Sequence, residues 1–302
     1  MKKVLAMILT LSMLLALAAC GGPAESATSA AASQQTEGNP SSTPDSPAEN
    51  EATPAPAVRT VDADKDTLIV GGFGEVTSFD PLTEGSNTVN IIGLCVYDKL
   101  YNMNQDGSLE MELAESVEYV GDDGMTLEIK LKSGIKFHNG DELTAEDVLF
   151  TIQRMSTNFM YSARVDAADF DKATAEGLTV TIPMKYYDAR FVPNLTGELG
   201  FIMDKSYVEQ VGEEEAGRNP VGTGPYTFGE WKAGESVTLN RNTDYWSEQP
   251  DFETIVYKFF TEDNTRVLEF EQGTLDLAVV TTSDNVDRLK NGEVPGGMIY
   301  TW

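Results

Sequence analysis

Hydrophobic and polar positions fall into three regimes along this chain. Residues 4–19 form an apolar run, interrupted only by Thr10 and Ser12, behind Lys2 and Lys3, residues 21–57 carry few large apolar side chains, and short patterned segments follow from residue 66. Residues 66–73 are a β-rich run closed by glycines, and Ser78-Phe79-Asp80-Pro81 behind it favours a turn, so a buried strand leading into a loop is predicted. Alternation over residues 125–132, with Leu127, Ile129 and Leu131 against Glu128 and Lys130, predicts a half-buried strand, as does the pattern over 178–182. Ser133-Gly134 is expected to fold the first of these back on residues 135–137 as a hairpin. Val89, Ile92, Val96 and Leu100 recur at three-and-four spacing, which predicts a helix over 88–101. Thr144 with Asp147 three residues on predicts a capped helix to about Met155, its apolar face carrying Val148, Leu149 and Ile152, and a polar loop is expected over 156–170. Short helices are expected over 188–195 and 205–211. Residues 226–231 and 237–241 should pair around Gly234, residues 255–260 form a strand, and residues 264–272 form a helix stopped by Gly273. Strands over 275–280 and 298–302 complete an α/β pattern without sustained βαβ regularity.

The apolar run at the start is too short to span a bilayer comfortably and reads as an export signal. It ends in Leu17-Ala18-Ala19-Cys20, which resembles a lipobox, so residues 1–20 are read as a lipoprotein signal with Cys20 as the lipidated mature N-terminus. Residues 21–59 are read as a disordered tether. Up to residue 57 they are Ala, Ser, Thr, Pro, Gln, Asn and Gly with Glu25, Glu37, Asp45, Glu49 and Glu51 and no basic residue, a composition that cannot offset the entropy of ordering. The expected location is extracytoplasmic, held to the membrane by Cys20. No later apolar run is long enough to cross a membrane.

With 49 acidic against 21 basic residues, the formal net charge is −28. Nucleic acid is thereby excluded as a partner, since phosphate contacts need clustered Lys and Arg, and electrostatic adhesion to anionic lipid is disfavoured. Cys20 and Cys95 are the only cysteines, so acylation of Cys20 leaves Cys95 unpaired, and its apolar surroundings (residues 91–97) read as packing. His138 is the only histidine, which makes a zinc centre or a His-dependent triad implausible. Residues 219–226, Asn-Pro-Val-Gly-Thr-Gly-Pro-Tyr, lack the lysine of a P-loop and read as a rigid turn. Residues 71–76 resemble a kinase glycine-rich loop, but no kinase motif follows. The acidic runs Asp62, Asp64, Asp66 and Asn102, Asn104, Asp106 do not complete an EF-hand and read as turns and solvated edges. No catalytic residue, metal or cofactor is expected.

Three ordered segments resemble the family 5 solute-binding proteins, the peptide, dipeptide and nickel receptors of ABC importers. The first runs from Leu113-Ala114-Glu115-Ser116 through Asp122-Asp123-Gly124-Met125-Thr126 and Leu131 to Gly140, and on to Leu143 through Val148. The second is Asn219 through Tyr226 followed by Leu239-Asn240-Arg241-Asn242 and Tyr245-Trp246, and the third is Ser78-Phe79-Asp80-Pro81 with Tyr97-Asp98-Lys99-Leu100 behind it. The resemblance covers about residues 65–302. It implies an α/β fold of the type II periplasmic-binding-protein kind. Residues 60–100 and 215–302 would form a discontinuous lobe one, and residues 101–214 an inserted β-rich subdomain. The second lobe, absent here, would follow Trp302, and the apolar run ending there likewise points to further chain.

The same resemblance implies a solute-binding lipoprotein that captures oligopeptides or dipeptides and delivers them as a monomer to an ABC permease and its ATPase. A nickel-complex or sugar binder of the same family, a cell-surface peptide sensor or chaperone, and a carboxylate hydrolase are the alternatives. The matched ligand wall comprises Gly85, Ser86, Asn87 and Thr88, with Tyr161 from the loop after the capped helix. Backbone groups and short polar side chains of that kind suit main-chain amides and leave side-chain pockets permissive. Residues 86–88 equally suit the cap of the following helix, and both roles can hold.

Overall fold

The computed structural model describes residues 65–294 and Gly297; the export segment, Cys20, the tether, Asp62 and Asp64, and the strand expected over 298–302 lie outside the described residues. In chain order, β1 (Thr67–Gly72) and α1 (Asn87–Val96) lead into β2 (Tyr101–Met103), β3 (Leu109–Met111), β4 (Ala114–Val120), β5 (Thr126–Leu131) and α2 (Ala145–Thr157). Next come β6 (Thr174–Glu176), β7 (Thr179–Pro183) and three short helices, α3 (Phe191–Asn194), α4 (Lys205–Val211) and α5 (Glu213–Arg218). The described chain closes with β8 (Tyr226–Lys232), β9 (Ser236–Arg241), β10 (Thr254–Phe259), α6 (Asp263–Gln272), β11 (Leu277–Ala278) and α7 (Ser283–Lys290).

One sheet has the order β11-β1-β10-β9-β8, with β1 parallel to both β10 and β11 and the remaining pairs antiparallel. Its hydrophobic cluster gathers Val70, Phe79, Val89, Ile92, Val96, Val237, Leu239 and Tyr257, joined by Phe201, Met203 and Val208 from the connecting chain. A second sheet, β4-β5-β7-β6, is antiparallel throughout and carries α2 on its cluster, with Leu127, Ile129, Val148, Ile152, Val180 and Ile182 buried. The alternating residues of β5 and β7 supply that cluster because successive side chains leave a strand on opposite faces.

The α1 helix stops at Val96, five residues before its expected end, although the apolar spacing continues to Leu100. Asp98 is the reason: its buried carboxylate accepts hydrogen bonds from Thr223 Oγ1 (2.8 Å), Tyr245 OH (3.1 Å) and Trp246 Nε1 (2.7 Å). A residue on the helix could not reach those partners, so Tyr97 turns extended and Leu100 joins the other cluster. Gly93 permits the bend, since a Cβ there would come within 2.5 Å of the Phe201 ring that stacks on Tyr97.

The expected hairpin between β5 and residues 135–137 does not form. β5 is interior, paired with β4 and β7, and β4 escaped notice because Glu115, Ser116 and Glu118 mask its alternation. Residues 135–143 fold on themselves instead, with Leu143 N–H donating to Ile135 C=O (2.9 Å) around Gly140 at φ 96°. Helix 188–195 contracts to α3, strand 275–280 to β11, and the loop over 156–170 contains the end of α2 and a 3-10 turn at Ser162–Arg164. Asp147 closes α2 as predicted, accepting the Thr144 N–H (2.8 Å) and hydroxyl (2.7 Å), and a third bond from the Lys205 N–H (2.9 Å) ties α2 to α4.

Candidate ligand site

The parallel strands β1, β10 and β11 all end at one side of their sheet, and each is followed by a loop that opens a helix. In open α/β sheets, the carboxyl ends of such strands form the crevice where ligands gather. Here they enclose a concavity of about 270 Å³ lined by Phe73 and Gly74 after β1, Thr261 and Asn264 after β10, and Thr281 and Thr282 before α7.

The floor is a buried ion pair. Arg266 Nη2 donates to Asp263 Oδ1 at 2.5 Å, Nη1 to the carbonyls of Gly72 (2.7 Å) and Phe260 (3.3 Å), and Nε to the Val279 carbonyl. One guanidinium thus holds the chain at the ends of all three strands. Asp263 Oδ2 accepts from the Thr282 hydroxyl (2.5 Å) and Asn285 Nδ2 (2.9 Å), and Oδ1 accepts from the Thr281 N–H (3.1 Å). Burial alone would raise the Asp263 pKa, but the hydrogen bonds from Thr282, Asn285, Thr281 and Arg266 outweigh it and hold the carboxyl well below the usual range. Phe73 lies over the guanidinium, 5.3 Å from its ring centroid to Cζ. Every charge in the floor is therefore matched, and the lining around it is polar, with Thr261, Asn264, Thr281 and Thr282 beside the exposed carboxylate of Glu262.

The first strand's loop connects this floor to the residues expected at the ligand wall. Thr88 is buried and its hydroxyl donates to Gly74 C=O (3.0 Å), bracing the loop from the start of α1. Ser86 is the N-cap of α1, its hydroxyl accepting the Val89 N–H at 3.2 Å, so the capping role holds. Gly85 and Asn87 are exposed. Tyr161, buried, is brought against Gly85: a Cβ at residue 85 would meet the Tyr161 hydroxyl at 2.9 Å. Among the described residues neither that hydroxyl nor the Asn87 side chain has a hydrogen-bond partner, so both retain capacity for a ligand. The α2 end is fixed to this wall by Arg154, which donates to Asp80 Oδ2 (2.5 Å), and by Asn158 Nδ2, which donates to Leu82 C=O (2.8 Å).

Sequence reasoning missed the loops at 260–264 and 281–282, and it set aside Gly71-Gly72-Phe73-Gly74 with the kinase reading. Glycines closing a β-rich run were the available signal for the first. The others could be placed only once β10 and β11 were known to flank β1. Residues 219–226 pack against the end of α1, where Gly224 N–H donates to Val96 C=O (2.9 Å) and a Cβ on Gly222 would lie 2.1 Å from that oxygen. His138 joins them, with Nδ1 accepting the Gly222 N–H (3.3 Å) and Nε2 donating to Gly224 C=O (2.9 Å). No described helix is long and apolar enough to cross a membrane, and no described group of His, Cys, Asp and Glu is arranged to hold a metal ion. Asn102 lies in β2, and Asn104 and Asp106 lie in the turn between β2 and β3, where Asp106 Oδ1 accepts the Ser108 N–H (2.9 Å).

A mixed α/β fold with a braced crevice at its parallel strand ends is that of the periplasmic solute-binding proteins. Among solved structures, MoaA of A. tumefaciens R10 in complex with mannopinic acid matches with a TM-score of 0.69 and 27% identity, over 76% of this chain and 48% of that one. The chain belongs to family 5 of the bacterial extracellular solute-binding proteins, whose middle-region model matches residues 108–296. The oligopeptide-binding protein AppA of Bacillus subtilis is 30% identical over 232 residues, 72% of this chain and 41% of AppA. Its structure in complex with a nonapeptide matches with a TM-score of 0.64 and 28% identity, over 74% of this chain and 46% of that one. The glutathione-binding protein GsiB of Pectobacterium atrosepticum is 30% identical over 219 residues, 72% of this chain and 42% of GsiB. The chain thus spans about two fifths of the length of these curated relatives. They are binding proteins, not enzymes.

Proposed function

We propose that this chain supplies the ligand-capturing wall of an ABC importer's solute receptor, with short peptides as its solute. The observation that carries the reading is family membership together with relatives named for oligopeptide and glutathione, both peptidic. In this reading Gly85, Ser86, Asn87 and Tyr161 face the solute. The Gly85 backbone, Asn87 amide and Tyr161 hydroxyl offer hydrogen bonds to main-chain amides, while Thr88 braces the wall from behind. Residues 60–100 and 215–302 act as lobe one around the parallel strands, residues 101–214 as the inserted subdomain, and closure of a second lobe carries the signal to the permease. Cys20 carries the lipid anchor, residues 21–59 the tether, and the receptor works as a monomer on the outer face of the membrane.

The mannopinic-acid complex of MoaA favours a second reading, in which the solute is a smaller amino-acid conjugate. Thermal unfolding of the purified full-length receptor, second lobe included, with tri- to nonapeptides, and separately with opines, distinguishes the two. A rise in Tm with peptides supports the first, a rise with opines alone supports the second, and no shift with either removes both. Mass spectrometry of the membrane fraction tests the anchor, which is lost from the proposal if Cys20 is not diacylglyceryl-modified.

A further inference from the structure

Three residues next to the proposed wall have chemistry that its main-chain contacts leave unused. Phe159 is 99% and Met160 71% exposed, in adjacent positions at the end of α2. An exposed apolar pair on a mobile loop would be unremarkable, but this turn is held on several sides. Asn158 Oδ1 accepts the Met160 N–H (2.9 Å), Asn158 C=O accepts the N–H groups of Tyr161 (3.2 Å) and Ser162 (2.9 Å), and Asn158 Nδ2 donates to Leu82 C=O (2.8 Å). The fold therefore holds the backbone that presents an aromatic ring and a thioether to water, and covering them would be favourable at about 25 cal/mol per Å². The following residue, Tyr161, touches Gly85, so the pair is continuous with the proposed wall.

Arg164 supplies a charge. Its Cζ lies 5.7 Å from the Tyr161 ring centroid, and it alone among the described arginines makes no ion pair; Arg154, Arg190, Arg218, Arg241, Arg266 and Arg288 all have carboxylate partners. In a chain of net charge −28, an arginine left without a carboxylate and stacked on Tyr161, in the turn that carries the exposed apolar pair, is complementary to a ligand that brings its own.

We infer that Phe159, Met160 and Arg164 form a specificity ledge for a peptide whose apolar side chain lies next to a free carboxylate, a hydrophobic C-terminal residue being the simplest case. The ledge rests on the peptide reading above and adds to it a preference that main-chain recognition by Gly85, Asn87 and Tyr161 does not provide. Phe159 and Met160 cover the side chain, and Arg164, stacked on Tyr161, pairs with the carboxylate.

Calorimetric titration of the full-length receptor, second lobe included, with Ala-Ala-Leu, its C-terminal amide and Ala-Ala-Ala tests this. The expected order of affinity is Ala-Ala-Leu above both others. Phe159→Ala should lose roughly tenfold for Ala-Ala-Leu and leave Ala-Ala-Ala unchanged. Arg164→Gln should lose roughly threefold to fivefold for the free acids and leave the amide unchanged. All three side chains lie at the surface, so unchanged melting temperatures verify folding. Equal losses across the panel, or none, overturn the ledge while the peptide reading stands. A Phe159→Ala change in sedimenting mass makes it a self-association surface and overturns it too. Binding of none of the peptides by the unsubstituted protein removes the peptide reading and the ledge with it.

Discussion

Asp263→Ala tests whether the floor of the crevice is held by one ion pair. The substitution leaves the Arg266 guanidinium buried with only carbonyl partners, and it strips acceptors from Thr281, Thr282 and Asn285. Removing one partner of a buried pair costs about 3–5 kcal/mol, because the remaining charge stays desolvated. Against a typical total stability of about 5–15 kcal/mol, that is a large share. Replacing both partners, as in Asp263→Asn with Arg266→Met, leaves no stranded charge, so the double variant should be less destabilised than the sum of its single changes. Urea unfolding followed by circular dichroism gives each value, and hydrogen exchange at the amides of residues 72–74 and 279–282 should show the loss concentrated at the strand ends. The sign with pH also follows. A carboxyl whose folded pKa is depressed contributes stability that is full above its unfolded value, near 3.8, and is lost as pH falls through the lower folded value. Acid unfolding below about pH 4 should therefore be shallower in Asp263→Asn than in the parent. A cost under about 1 kcal/mol for Asp263→Ala, or strict additivity in the double variant, would refute the single-latch account.

Gly222→Ala should destabilise by about 2 kcal/mol or more in the same urea assay, since its Cβ would meet backbone oxygen at the end of α1 and neither segment can rotate away. Glu112 is pushed up from 4.5 to about 7, chiefly by burial and then by Asp98, so its cost to the fold is absent below about pH 4.5, grows as pH rises from there and is full above about 7. Glu112→Gln should thus gain about 1–2 kcal/mol at pH 8, allowing for its partial exposure, and nothing at pH 4; an equal gain at both would contradict the assignment. His138 runs the other way. Burial, opposed by the Gly224 carbonyl and by Asp98, lowers its pKa from 6.5, so stability is full above that value and falls as acidification drives a proton onto the neutral ring. In the Glu112→Gln background, Tm should fall from pH 7 towards pH 5, and His138→Gln should remove that fall.

What could be read in advance follows from the range of the forces involved. The α2 cap was legible because Thr144 and Asp147 are three residues apart and act within one turn. The strands β5, β7, β8 and β9 were legible because each carries its own alternation and the last two meet across a short turn. The end of α1 was not, since the partners that draw Asp98 out of the helix lie 125 to 148 residues further on. The proposed ligand wall shows the same division. Ser86 announced its cap, but nothing local tells that Thr88 turns inward to Gly74 or that Tyr161 meets Gly85. The crevice depends on β10 and β11 flanking β1, and Arg266 gives no sign in sequence that it gathers the ends of all three strands.

The latch and the Asp98 node have a common consequence for recognition. Each places a buried charge where it can be satisfied only if distant segments hold one arrangement, Arg266 across the ends of β1, β10 and β11, and Asp98 across Thr223, Tyr245 and Trp246. A wall fixed in this way is ordered before any solute arrives, so less conformational freedom remains to be lost on binding. It also leaves those charges with nothing to offer a ligand. In the proposed reading, discrimination between solutes then falls to groups whose hydrogen bonds and charges the fold leaves open: the Asn87 amide and Tyr161 hydroxyl towards a main chain, and Phe159, Met160 and Arg164 towards whatever that main chain carries. Substitutions in the floor should accordingly change stability and affinity together for every solute, whereas substitutions on the ledge should reorder solutes and leave stability alone.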